Sequence, residues 1–288
     1  MGRMLLVTGS TGTVGTEVTR LLSEWGEHVR AAAHTVEKAR KFRDLDVEVA
    51  EVDYERPETV ERAFESVDRF FLLTPVSEEM VGITARLVDA AMRMGVRHIV
   101  KLSVIGAGEI DAKFMNLHRE SELIIEGSDI PFTHLRPNAF MQNFVNFHGE
   151  SIRKEGAFRL PCGDGKVSFV DARDIAEVAV RALLDPERHK NSAHVITGPR
   201  ALSHKEVAGL LSKVLGREIR YVDVPEEGAR KAMADAGIPE WLREGFLELY
   251  GLFKAGRLSA VSPAVREITE RDPVNFEQFV RDHAGAFG

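Results

Sequence analysis

A single cysteine, Cys162, excludes any internal disulfide and makes a reducing compartment, the cytoplasm, the expected setting. No apolar run approaches the roughly 18 residues that a membrane span requires, so no membrane partner is expected. No signal segment is expected either, because the first apolar run already reads as part of the fold. A basic surplus is also missing: the net charge is −7, which gives no reason to expect nucleic acid binding. Internal repeats, low-complexity tracts and long linkers are absent as well. What remains has the balance of a globular enzyme. At 288 residues, 44% hydrophobic and 29% charged, the chain suffices for one large domain or two.

The stretch that organises the rest runs from Met4 to Trp25. Met4-Leu5-Leu6-Val7 has the length and branching of a fully buried strand. It leads directly into Gly9-Ser10-Thr11-Gly12-Thr13-Val14-Gly15 and then into an amphipathic helix whose Val14, Val18, Leu21, Leu22 and Trp25 share one face. The three glycines stand where a Cβ would obstruct a tight turn, an approaching ligand and a helix–strand contact. N–H groups at the helix start, reinforced by the helix dipole, then favour a pyrophosphate. Three glycines alone mark only a tight loop. Strand, loop and helix in this order predict a dinucleotide site at Gly9, Thr11, Gly12, Thr13, Val14 and Gly15.

Strands and helices alternate onward. Strands are expected near 29–33, 47–52, 69–74, 98–102 and 132–135, with helices at 36–42, from Pro57, at 78–94 and at 114–126. The 78–94 helix is expected to turn Val81, Ala85, Val88 and Met92 inward, with Gly95 as its C-cap. This rhythm predicts an α/β fold: a doubly wound parallel sheet of the Rossmann type, strand order 3-2-1-4-5-6. Beyond Pro137 the rhythm breaks into a segment rich in aromatics and glycines. A helix is expected at 172–184, a strand at 194–197 joining the main sheet, a capping box at Ser203–Glu206 opening a helix that Gly216 closes, and a strand at 219–224. The expected domains are 1–137, with about 169–198 returning to it, as the dinucleotide-binding unit, and 138–168 with 199–288 as a smaller, intimately packed C-terminal α+β substrate lobe.

The segments LLVTGSTGTVG, DYERPETV, LTP, HIVKLSVIGA, LHRESE, IPFTHLRPNAFMQNF and ITGP resemble the atypical short-chain dehydrogenase/reductase superfamily. The match is to its NmrA-like branch, which contains quinone oxidoreductases, triphenylmethane dye reductases and nucleotide-sensing regulators. The resemblance implies a bound nicotinamide nucleotide with its nicotinamide end near the fifth strand. Short-chain reductases use a Ser after that strand and a Tyr-x-x-x-Lys on the next helix; here Ser103 holds the first place, but the helix offers Phe114-x-x-x-His118. A phenol is the usual proton donor to a reduced carbonyl, and Phe114 supplies none. In the quinone and dye reductase relatives this place resembles the His118-x-x-x-Glu122 found here, so Ser103 and His118 are the catalytic candidates. The same resemblance places acceptor contacts at Asn138, Phe140, Met141 and Asn143, joined by Tyr250 on a later helix.

Each candidate also has a plainer reading. His118 could be one more polar residue on a helix, Ser103 a strand-end hydrogen-bond partner, the 138–143 group and the stripe around Tyr250 ordinary core, and Cys162 a packed residue. Asp53 and Tyr54 close the third strand, where Asp53 suits the adenine amino group; Leu73, Thr74 and Pro75 close the fourth, beside the cofactor crevice. An acid about 20 residues past the glycines would select NAD, but the second strand ends at His34, Thr35 and Lys38, so NADP(H) is the expected cofactor with NAD(H) second. No metal is expected. Two functions are open: an NAD(P)H-dependent reductase passing hydride to a quinone, azo dye or similar conjugated small molecule, and a non-catalytic NAD(P)-binding redox-sensing regulator. The expected assembly is a monomer or homodimer.

Overall fold

Leu5, Leu6 and Val7 are each 1% exposed or less, which is the fate of an apolar strand with neighbours on both edges and helices on both faces. In the computed structural model, which describes residues 4–288, they belong to β1 (Met4–Val7), followed by α1 (Thr13–Glu24) and β2 (His28–Ala33). The alternation continues through β3 (Val47–Glu51), α2 (Pro57–Ala63), β4 (Val67–Leu72), α3 (Met80–Arg93), β5 (His98–Leu102), α4 (Lys113–Glu126) and β6 (Phe132–Pro137). The sheet order is β3-β2-β1-β4-β5-β6, all paired in parallel, with a seventh strand, Ser192–Ile196, beyond β6. This is the doubly wound Rossmann-type arrangement. Its strand order reverses between β1 and β4, which opens a crevice at the carboxyl ends of the strands.

Two expectations about local structure, the inner faces of α3 and of α1, need correction; the helix expected at 36–42 is present, as a 3-10 helix of residues Val36–Phe42. Their two buried side chains, Ala39 and Phe42, are three apart and fit three residues per turn. In α3 the inward face is Met80, Ile83, Leu87, Val88 and Ala91, whereas Ala85 and Met92 are exposed. Both stripes have helical spacing, so periodicity alone could not choose between them; the observed face buries more apolar surface. Trp25, expected on the inner face of α1, is 41% exposed and has the Arg181 guanidinium 4.8 Å from its ring centroid.

Charged side chains tie the layers. Arg30 on β2 pairs with Glu48, its register partner on β3, at 2.7 Å. It also donates to the Ala63 and Glu65 carbonyls at the end of α2, at 2.8 and 2.7 Å. Buried Arg69 donates to the Leu183 and Leu184 carbonyls at the C-terminus of the helix Ala172–Leu184, where the helix dipole favours a cation.

The chain divides into two units: the first takes it to Ile110, then Phe114–Arg136 and Ala172–Val195; the second has Asp111–Lys113, Pro137–Asp171 and Ile196–Gly288. The second is mostly helical, with two two-stranded pieces, Ala157–Leu160 beside Arg220–Asp223 and Lys166–Val167 against Leu202–Ser203. Ser203 and Glu206 form the expected capping box, and Gly216 ends that helix in the left-handed region at φ 66°. Its core is aromatic. The Phe144 ring meets Phe158, Phe169 and Phe276 edge-on at 5.4, 5.3 and 5.2 Å. Among the described residues, no helix is long and apolar enough to cross a membrane.

Candidate active site

The glycine loop has the geometry its spacing called for. Gly9 is left-handed at φ 59°, and a Cβ there would lie 2.4 Å from the Leu73 side chain. A Cβ on Gly15 would lie 2.2 Å from the Gly9 carbonyl oxygen. Helix α1 therefore starts directly against the turn, with Gly12 as an exposed N-cap and no side-chain cap to compete with an incoming anion. Thr8, unremarked in the sequence, holds the crevice's floor: its hydroxyl donates to the Leu73 carbonyl and accepts from the Leu73 N–H, both at 3.0 Å. Thr74, the next residue, is buried there, while Pro75 is exposed.

Beyond the loop a cleft of about 510 Å³ is lined by His34, Asp53, Tyr54, Ile83 and Arg86 among others. That volume suits one half of a dinucleotide. His34 is exposed at the end of β2, and Thr35 is the N-cap of the 3-10 helix. Asp53 Oδ1 accepts from the Glu55 N–H at 3.0 Å, which orients the carboxylate at the end of β3. Burial pushes the Tyr54 phenol up to about 12. A further cation, Lys41, reaches the glycine loop: its Nζ donates to the Thr11 carbonyl at 2.8 Å and the Thr16 hydroxyl at 2.6 Å. Loop, uncapped helix start and cleft together fit a dinucleotide.

The second feature is a buried cluster between β5, β6 and α4. Residues two apart on a strand share a face and rise about 6.6 Å; residues four apart on a helix share a face and rise about 6.0 Å. Lys101 on β5 and Ser103, the residue just past its end, therefore match His118 and Glu122 on α4, pair for pair. Lys101 is fully buried, donates to the Leu102 carbonyl at 3.0 Å and lies 3.3 Å from His118 Nδ1. The Ser103 hydroxyl donates to Glu122 Oε1 at 2.6 Å. From β6, Arg136 grips both Glu122 oxygens, at 3.0 and 2.8 Å, and Arg119 adds a 3.0 Å contact. Burial pushes the Glu122 carboxyl up, but hydrogen bonds from Arg136 and Ser103 outweigh it and hold the group below its usual range. Glu122, Glu126 and His134 lie close enough to share an ion. The guanidiniums of Arg119 and Arg136 already neutralise those carboxylates, an arrangement that repels a cation.

This cluster changes the roles of both catalytic candidates. The His118 ring is held well below its ordinary value by burial and then by the Lys101 charge, so it is neutral at pH 7. Burial brings Lys101 down to about 8, against the pull of Glu122, so its amine is mostly charged there. An ammonium can only donate; His118 Nδ1 must therefore accept, and the ring proton sits on Nε2. The amine that Phe114-x-x-x-His118 lacks on the helix is thus supplied by the strand. Lys101 was the residue missed, although a lysine inside the apolar run His98-Ile99-Val100-Lys101-Leu102 was a visible signal. Ser103 directs its proton to Glu122, which makes it a support of the cluster.

The expected acceptor contacts lie in the second unit, and two of them are structural. Asn138 is 2% exposed; its amide donates to Ser168 Oγ and the Leu258 carbonyl, and its oxygen accepts from the Ala139 N–H, all at 2.8 Å. No hydrogen of that amide is left for a ligand. Met141 is 1% exposed, packed in the core. Phe140, Asn143 and Tyr250 are half-buried, with Tyr250 6.2 Å from the Phe246 and Phe253 rings. Cys162 is buried, and burial pushes its thiol up to about 12, which makes it inert as a nucleophile.

Known proteins share this architecture. The chain is 40% identical, over 99% of both chains, to an NAD(P)H azoreductase of Xenophilus azovorans. The triphenylmethane reductase of a Citrobacter species superposes with a TM-score of 0.86 at 26% identity, covering 99% of each chain. An NADPH-dependent quinone oxidoreductase of Escherichia coli, solved with NADPH, shares the fold with a TM-score of 0.87 at 21% identity, over 98% of this chain and 99% of that one. The NmrA-like family model matches residues 1–280, and the chain belongs to the NmrA-like family.

Proposed function

We propose that this protein is an NADP(H)-dependent reductase of quinones, azo dyes and similar conjugated small molecules, with His118 as the group that hydrogen-bonds the acceptor. The observation that carries the reading is the 3.3 Å contact between Lys101 Nζ and His118 Nδ1, which leaves Nε2–H as the ring's donor. Conjugated acceptors spread incoming charge over a ring system, so a neutral N–H donor suffices where simple carbonyl reduction needs a phenol. The azoreductase likeness points to the same class.

The cofactor would be held by the Gly9–Gly15 loop at its pyrophosphate and by the cleft around Asp53 and Tyr54 at its adenine. His34, Thr35 and Lys38 stand at the ribose end, and Lys41 beside them provides the cation nearest the loop. When bound there, the nicotinamide supplies hydride. The chain's residues do the rest: the loop positions the cofactor, His118 fixes the acceptor, and the Glu122 cluster holds α4 against β5. A cytoplasmic setting suits a buried, unprotected thiol and a supply of NADPH.

The test is loss of reduced-nicotinamide absorbance with a benzoquinone and an azo dye as acceptors, using NADPH and NADH in turn. Turnover with NADPH preferred is the expected result. Tight cofactor binding without turnover on any acceptor would replace the reductase reading by a redox-sensing one.

A further inference from the structure

His118 is half-buried as a residue, and its Nδ1 meets a lysine that is 0% exposed. A lysine is seldom fully buried without a paired carboxylate. Here the nearest carboxylate, Glu122, is already satisfied by Arg136, Arg119 and Ser103. The Lys101 amine meets two partners, the Leu102 carbonyl and His118 Nδ1. The titratable or charged groups around it are His118 and Glu122 on α4 and His134 on β6, its register partner; β4 sets apolar Leu72 beside it.

Resting on the reductase reading, we infer that Lys101 is the proton reservoir of this site, recharging the His118 ring through Nδ1 as Nε2 gives its proton to the reduced acceptor. The balance is simple. For each hydride delivered, the acceptor's oxygen or nitrogen takes one proton from Nε2. Nδ1 takes one from the Lys101 ammonium, and water returns one to the amine. The ring ends neutral in the opposite tautomer and resets by proton exchange. A neutral imidazole by itself is a poor acid, because it would leave an imidazolate; a proton arriving at Nδ1 in the same step removes that obstacle. Lys101 acts through His118, so it positions and supplies rather than touching the acceptor.

Two readouts test this. In cofactor-free protein with nitrogen-15-labelled histidine, NMR should find His118 in the Nε2–H tautomer, with its Nδ1 signal shifting through a midpoint near pH 8 as Lys101 titrates. Lys101→Met should abolish that step. An Nδ1–H tautomer, or no step in wild type, overturns the inference without any kinetics. In steady state with NADPH and a benzoquinone, wild-type kcat should fall on an alkaline limb near pH 8. Lys101→Met should lower kcat roughly 10²-fold and lose the limb, with KM for NADPH unchanged. Lys101→Arg keeps a charged donor to Nδ1 but releases no proton, so it should keep the tautomer and stay slow. Full turnover in Lys101→Arg would reduce Lys101 to an orienting group. A wild type that turns over while Lys101→Met matches it overturns the relay alone; a wild type that reduces neither acceptor overturns the reductase reading and the relay with it.

Discussion

In the first unit His118 and His134 sit among charges; in the second, His148 and His204 sit among aromatic rings. His134 lies 3.3 Å from Glu126, and His118 has a lysine on Nδ1. His204 instead has the rings of Phe144, Phe158, Phe169, Tyr221 and Phe253 within 6.4 Å, and Phe158 lies 5.8 Å from His148. Burial draws all four below the usual histidine range, His134, His148 and His204 to about 4. The shared shift therefore says nothing about role. A buried imidazole becomes useful when one nitrogen has a proton source and the other is open, and of the four only His118 has a lysine partner.

The largest effect expected from this comparison is on stability in acid. His148 and His204 fold neutral, while their unfolded counterparts take up protons as pH drops below 6.5, so stability is complete above 6.5 and is lost toward pH 4. At 1.36 kcal/mol per pKa unit, His204 accounts for about 3 kcal/mol of that loss. Urea unfolding at stepped pH should show it, and His204→Phe, which keeps a ring in the cage, should flatten the acid limb while leaving kcat unchanged. A kcat loss in that variant would give the aromatic cage a part in turnover.

Next comes His118→Ala, expected to lower kcat on the order of 10²-fold, with NADPH affinity and the unfolding midpoint close to wild type. Equal turnover would make His118 as structural as His204. Asn138→Ala is expected to destabilise by about 1–3 kcal/mol, because it removes a buried amide's partners, and to leave the acceptor KM unchanged. A raised acceptor KM with unaltered stability would return Asn138 to the binding surface. The smallest effect is expected from Ser103→Ala. Arg136 still holds Glu122, so about 1 kcal/mol of stability and a few-fold in kcat should go; a 10²-fold loss would make Ser103 a direct donor.

Much was determined locally. Gly9 and Gly15 sit at single positions where a Cβ has no room, and such constraints are written in a short stretch of chain. Strand alternation with helices, the order 3-2-1-4-5-6 and the capping box at Ser203 follow likewise from short-range pattern and chirality. The phase of α3 did not, because two stripes with the same period compete and only the neighbouring layers choose between them. Asn138 looked like a ligand contact because its type is polar; Ser168 and Leu258, 30 and 120 residues away, claim its amide. The candidate site was half legible. His118 and Glu122 stand four apart on one helix and declare a shared face, but nothing local pairs them with Lys101. That pairing needs β5 registered beside β6 and α4 laid across them. Only then does burial lower both groups, and only then does the lysine decide which imidazole nitrogen carries the proton. Proton position is set by distance and dielectric between segments far apart in the chain, and those quantities exist only once the sheet has assembled.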